Sequence, residues 1–172
     1  MTVHSPIFWH NENDTEAFAK AFVLEHNLSN AIVELRGDLG TGKTTFTRYL
    51  LQALGVTGRI KSPTYAIVET YEAAFPISHF DFYRFNDPEE WEEAGFRDIF
   101  AAAGLKIVEW ADKAHPLLPP ADFVISIEML ADDVRHVTVI PTASVIPASS
   151  VIPAKAGIHS AMDPRLRGDD SC

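Results

Sequence analysis

Gly37-Asp38-Leu39-Gly40-Thr41-Gly42-Lys43-Thr44 satisfies the spacing G-x-x-x-x-G-K-[ST] at every fixed position. The residue types fit one chemistry. Glycines let successive backbone N–H groups converge on phosphate oxygens, and a helix starting at the end of the loop adds the favourable field of its N-terminus. Lys43 is placed to reach the β- and γ-phosphates of a nucleotide, and the Thr44 hydroxyl to serve a magnesium ion. Asp38, Leu39, Gly40, Thr41, Gly42, Lys43, Thr44 and Thr45 are therefore the candidate nucleotide-binding residues.

Phosphoryl chemistry needs an acid beside the metal, usually at the end of a neighbouring strand. Two residues qualify. Asp81 lies in His79-Phe80-Asp81-Phe82-Tyr83-Arg84, where strand alternation sets His79 and Asp81 on one face and Phe80 and Phe82 on the other. Glu109 ends Leu105-Lys106-Ile107-Val108-Glu109, a near-continuous apolar run that suits a buried parallel strand whose C-terminal end faces the ligand crevice. Thr44, Asp81 and Glu109 are the candidate metal-side residues, and Lys43, Asp81 and Glu109 the candidate catalytic ones. His79, taken alone, reads as structural.

Ser62-Pro63-Thr64-Tyr65 pairs a rigid turn with a free hydroxyl. It reads equally as a strand-entry turn or as a switch-like loop sensing phosphate or metal. Trp110 is either a core aromatic or an anchor for a partner. Arg59, Lys61 and Arg84 are the best local candidates for meeting an anionic partner.

The elements that must position these residues are legible in outline. Asp14 or Thr15 is the expected cap of a first helix carrying Ala17, Phe18, Ala21 and Phe22 at helical spacing. Ala31–Leu35 reads as a strand, the glycine loop follows, and Thr45–Leu54 reads as a helix ended by Gly55. Ala66–Tyr71, Ile77–Tyr83 and Leu105–Trp110 read as further strands. Asp87-Pro88 starts a helix through Glu93, with aspartate as cap and proline in the first turn. Asp122–Glu128 and Arg135–Ile140 read as an antiparallel hairpin. This is an α/β pattern: a mainly parallel sheet flanked by helices.

The chain of 172 residues has 47% hydrophobic and 22% charged residues, which excludes wholesale disorder and suits one domain. Lys plus Arg number 14 against 24 Asp plus Glu, a net charge of -10 that disfavours unaided nucleic-acid binding. The single cysteine, Cys172, permits neither an intrachain disulfide nor a thiolate metal cluster. The N-terminus lacks the pattern of a secretory signal, and no apolar run approaches the roughly 18 residues needed to span a bilayer. A soluble, cytoplasmic chain with no membrane partner is the expectation.

Beyond Ile140, Val-Ile-Pro recurs at a six-residue period, at 139, 145 and 151. Recurrent proline breaks ladders and helices. Residues 1–140 are therefore expected to form one domain, and 141–172 a disordered, low-complexity tail. Parts of that tail also resemble a translated bacterial repeat element.

In order and spacing, Gly37 to Thr45, Ser-Pro-Thr-Tyr at 62–65, His-x-Asp-x-Tyr-Arg at 79–84 and Glu109-Trp110 together resemble the bacterial TsaE family, formerly YjeE. The resemblance covers most of Asp14 to Ile140. It implies a P-loop ATPase that uses ATP and Mg²⁺ in making the threonylcarbamoyl modification of adenosine beside the anticodon of tRNAs reading codons that begin with A. It implies action with TsaB and TsaD, and with tRNA through that complex. It carries the phosphate loop to Asp38–Thr45, the magnesium side to Thr44, Asp81 and Glu109, and places Thr15 and Arg135 near the nucleotide. Thr41 departs from the alanine common in the family, and the tail has no family counterpart.

Two other classes share the loop. A small-molecule kinase needs an arginine-bearing lid, and no arginine cluster follows the loop. A nucleotide-dependent docking module would work without turnover. Guanine selection has no support, because no Asn-Lys-x-Asp segment occurs.

Overall fold

In the computed structural model, which describes residues 6–142, the chain opens on strand β1 (Ile7–Trp9) and helix α1 (Glu12–Glu25). The cap of α1 is Asn11, whose side chain accepts from the N–H groups of Asn13 and Asp14 at 2.9 and 3.2 Å. Asp14 and Thr15, expected as caps, lie inside the first turn instead. Asn11 thus satisfies two of the donors that a helix start leaves free, and Asp14 accepts from the His10 N–H at 2.7 Å, which holds the residue before the cap.

β2 (Ile32–Arg36) then leads through the glycine loop into α2 (Lys43–Ala53), which Gly55 leaves with a φ of 90°. The remaining elements are β3 (Val68–Glu72), β4 (Pro76–Asp81), α3 (Pro88–Glu93), α4 (Phe96–Ala101), β5 (Leu105–Glu109), β6 (Phe123–Met129) and β7 (Arg135–Pro141). Expected boundaries shift where turn chemistry intervenes. Residues 66–67 belong to the turn before β3, and Tyr83 and Trp110 lie just past the strands that precede them. Asp122 stays outside β6, and its carboxylate accepts from the Ile32 N–H at 2.8 Å.

The seven strands form one sheet in the order β1-β7-β6-β2-β5-β4-β3. The centre, β6-β2-β5-β4, is parallel throughout. β3 and β7 run against it, and β1, antiparallel to β7, runs with it. The phosphate-loop strand β2 thus sits in the middle of the sheet, with the expected hairpin β6–β7 on one side. Expectations for the tail from residue 143 onward lie outside the described residues.

Alternation sorts the side chains onto two faces. Val33, Leu35, Ile77, Ile107 and Ile125 pack under Phe22 of α1 and Phe46, Leu50 and Leu51 of α2. Phe80 and Val108, partners across the β4–β5 ladder, face the other way, onto Trp91, Phe96 and Phe100 of α3 and α4. Burial of these aromatic and branched side chains is what fixes α2 over the end of β5. Every residue of β5 is buried, as a strand covered on both faces requires. Among the described residues no helix is long and apolar enough to cross a membrane.

Candidate functional site

The loop after β2 turns through Gly37, Gly40 and Gly42, all at positive φ. Gly37 is the position where glycine is required twice over: a Cβ there would lie 2.3 Å from the Ile127 carbonyl oxygen. Lys43, at the first turn of α2, folds its ammonium back under the loop and donates to the carbonyls of Gly37 at 2.7 Å and Asp38 at 2.9 Å. The same ammonium lies 4.4 Å from the centre of the Trp110 ring. Burial pushes the Lys43 pKa below its ordinary value, opposed by the carboxylates of Glu109, Asp81, Asp38 and Asp112. Thr41 is enclosed, and its hydroxyl is satisfied by the Asp38 carbonyl at 3.0 Å, so the loop accommodates it without an unpaired group.

Asp81 and Glu109 end the parallel strands β4 and β5 in direct register, with Phe80 and Phe82 turned to the other face. Both acids are buried. The Thr44 hydroxyl spans the Glu109 carboxylate at 3.1 Å from each oxygen. His79, also buried, sets its Nε2 at 2.9 Å from Oε1 of the same carboxylate. Asp81 accepts from the Thr64 hydroxyl at 2.5 Å and from the Tyr83 N–H at 3.0 Å.

The Thr64 contact was only half visible in the sequence. Ser62-Pro63-Thr64 announced a rigid turn with a free hydroxyl, but not which residue it meets. Ile67 closes the turn at a φ of 65°, an uncommon conformation for a β-branched residue. Its N–H donates to the Pro63 carbonyl at 2.6 Å and its own carbonyl accepts from the Asp81 N–H at 2.9 Å, which ties the turn to the strand end.

These residues share one cleft of about 260 Å³, lined by Leu39, Gly40, Gly42, Lys43, Thr44, Thr45, Thr64, Asp81, Tyr83, Glu109 and Trp110. Thr15 and Arg135, expected near the nucleotide, are not in it. They line a smaller hollow of about 70 Å³ with Trp9, Asn11, Glu12, Thr41, Gly42 and Thr45, on the other side of the loop's end. Gly42 and Thr45 border both spaces, so the loop joins them. Asp38 borders neither and faces a third recess with Gly37, Arg36 and Asp112. Trp9 and Asn11 escaped the sequence reading, in which the helix start was expected at Asp14 or Thr15. A larger apolar groove, of about 490 Å³, lies at the far end of the sheet beside Phe22, His26 and Pro141, away from all the loop residues.

Among the described residues no three His, Cys, Asp or Glu side chains come together to hold a metal by themselves. Two carboxylates and a hydroxyl beside a phosphate loop are nevertheless a fitting donor set for Mg²⁺. That ion takes oxygen ligands and keeps several of its positions for water and substrate phosphates.

A central strand, a glycine loop closing on its own lysine, a helix, and acids at the ends of adjacent parallel strands define a P-loop NTPase-like α/β protein. The family described as "Threonylcarbamoyl adenosine biosynthesis protein TsaE" matches residues 9–137, and the chain belongs to it. The Haemophilus influenzae tRNA threonylcarbamoyladenosine biosynthesis protein TsaE is 44% identical over 124 residues, covering 72% of this chain and 78% of its own. Its Bacillus subtilis counterpart is 36% identical over 129 residues, 74% of this chain and 80% of its own. The crystal structure of Bacillus subtilis YdiB superposes with a TM-score of 0.60 at 32% identity, over 80% of this chain and 86% of that one.

Proposed function

We propose that this chain is a Mg²⁺-dependent ATPase acting in the cytoplasm with TsaB and TsaD in formation of the threonylcarbamoyl modification on adenosine next to the anticodon of tRNA. The observation that carries the catalytic part is the Thr44 hydroxyl bridging both oxygens of Glu109, beside Asp81 and within the same cleft as Lys43. The family membership supports the pathway.

The loop from Asp38 to Thr45 holds the phosphates through its N–H groups, and Lys43 moves its ammonium from the loop carbonyls to the β- and γ-phosphate oxygens. Thr44, Asp81 and Glu109 hold the magnesium side, directly or through water. Bound Mg²⁺ supplies positive charge against the β- and γ-phosphates. The Thr44 hydroxyl donates its proton to Glu109 and so keeps its lone pairs for the cleft. Glu109 is placed either as a metal-side group or to orient the attacking water. Thr15 and Arg135 reach the nucleotide from the second hollow. The working unit is the P-loop domain through β7, which ends at Pro141, one residue past the expected boundary at 140.

Calorimetric titration with ATP, with and without Mg²⁺, tests the site, alongside a hydrolysis assay. Binding with release of inorganic phosphate, both lost in Lys43→Ala, is the expected result. Phosphate appearing on an added metabolite would replace the ATPase reading with a kinase one. Full function in a Glu109→Gln variant that binds but does not hydrolyse would replace it with a docking module.

A further inference from the structure

His79 is fully enclosed in the protein, at 0% exposure, yet only half of its hydrogen-bonding capacity is used. Nε2 meets Oε1 of Glu109 at 2.9 Å, and Nδ1 is buried without a partner among the described residues. The ladder sets Ile107 beside His79 and Glu109 beside Asp81, so the Glu109 side chain leans back along its strand to reach the imidazole. An ionised carboxylate only accepts, which assigns the proton to Nε2. Nδ1 is then a lone pair shut away from water. The opposite tautomer would set two acceptors against each other and bury an unpaired N–H as well.

A buried unsatisfied nitrogen lowers stability, and an apolar side chain beside Ile107 would not carry that cost. The imidazole therefore has a use other than packing. Its N–H holds one oxygen of the carboxylate on which Thr44 also depends, at 3.1 Å from either oxygen. We propose that His79 is a positioning residue: its Nε2–H fixes the Glu109 carboxylate, which in turn orients the Thr44 hydroxyl toward the cleft. The proposal rests on the reading of Thr44 and Glu109 as the magnesium-side pair.

Two variants separate this role from packing. His79→Leu removes the donor and the orphaned nitrogen together; His79→Gln offers an amide N–H in place of Nε2–H. In His79→Leu the melting temperature should stay near that of the parent, because relief of the orphaned nitrogen offsets the donor that the buried Glu109 carboxylate loses. Its turnover and the Mg²⁺-dependent part of its ATP affinity should fall by about 10–100-fold, as for other groups that orient metal-side ligands, while metal-free ATP binding holds. His79→Gln should recover most of the loss. Unchanged turnover and magnesium dependence in His79→Leu would overturn the proposal. So would a lowered melting temperature with equal losses in both variants, which marks a packing residue.

Nitrogen NMR of the imidazole supplies an arm independent of hydrolysis and of how well His79→Leu folds. An Nε2–H tautomer whose signal moves in Glu109→Gln is expected; an Nδ1–H tautomer, or a signal indifferent to Glu109→Gln, overturns the proposal. A parent chain that fails to hydrolyse ATP would contradict the ATPase reading, and the tautomer measurement would still decide the role of His79.

Discussion

Asp81 and Glu109 are Cα partners in the β4–β5 ladder, at the C-terminal ends of two parallel strands that are far apart along the chain. Register alone brings the two carboxylates side by side, and it places them on the face where α2 begins. A slip of one residue in β4 would exchange Asp81 for a phenylalanine. Each acid has its own donors: Thr64 and the Tyr83 N–H for Asp81, Thr44 and His79 for Glu109. The two can therefore be perturbed separately.

Thr64→Val tests the Asp81 side. It removes the 2.5 Å bond to Oδ2 and keeps the volume, leaving the Tyr83 N–H to hold the carboxylate. Turnover should fall by about tenfold or more with the fold intact. Steady-state phosphate release combined with a thermal melt reads both; parent-like turnover would show that the Ser62–Tyr65 turn is only a strand entry.

The glycines of the loop should not be equivalent. Gly42→Ala meets open space and costs only the left-handed conformation, about 1–2 kcal/mol. Gly37→Ala adds a clash with the backbone at Ile127, where no flexible side chain can give way. Urea denaturation should therefore rank Gly37→Ala well below Gly42→Ala, and equal losses would contradict the described turn.

Arg135→Ala should weaken ATP binding by about tenfold, the loss of one charge-assisted contact, without moving the magnesium dependence. Thr15→Val should act in the same direction and more weakly. Titration calorimetry measures both. Unchanged affinity in the pair would detach the second hollow from the nucleotide.

His26 gives the fold a pH dependence remote from the site. Its ring lies 4.6 Å from Phe22 and 4.7 Å from Phe123, centre to centre, and burial lowers its pKa from 6.5 against the opposing pull of Glu25. The unfolded chain then binds the proton more readily than the folded one just below pH 6.5. Stability is full above that pH, declines as the pH falls toward the lowered folded value, and levels off beneath it. His26→Phe should flatten this segment of a melting-temperature profile; an unchanged slope would assign it to other groups.

Much of this site could be read from residue order because the phosphate loop is a local device, with Lys43 and Thr44 lying next to the glycines that need them. Asp81 and Glu109 were also legible, since strand alternation and an apolar run state which end and which face an acid occupies. Long-range partners were not. Nothing local to Thr64 names Asp81, and His79 read as structural because its use depends on a neighbouring strand's register. The three-residue β1 and six-residue α4 are too short to show a period. The cap of α1 fell three residues early because Asn11, Asp14 and Thr15 are all capping types, and only the chain's path chooses among them.

The proposed function is that of an ATPase whose cycle is coupled to a tRNA-modifying complex. The most direct measurement is Mg²⁺-dependent ATP hydrolysis by the purified chain, alone and with the TsaB and TsaD proteins of the same organism, beside Lys43→Ala. Turnover that the partners stimulate and that Lys43→Ala abolishes is the expected result. Nucleotide binding with no turnover under any of these conditions, or turnover indifferent to both partners, would contradict it.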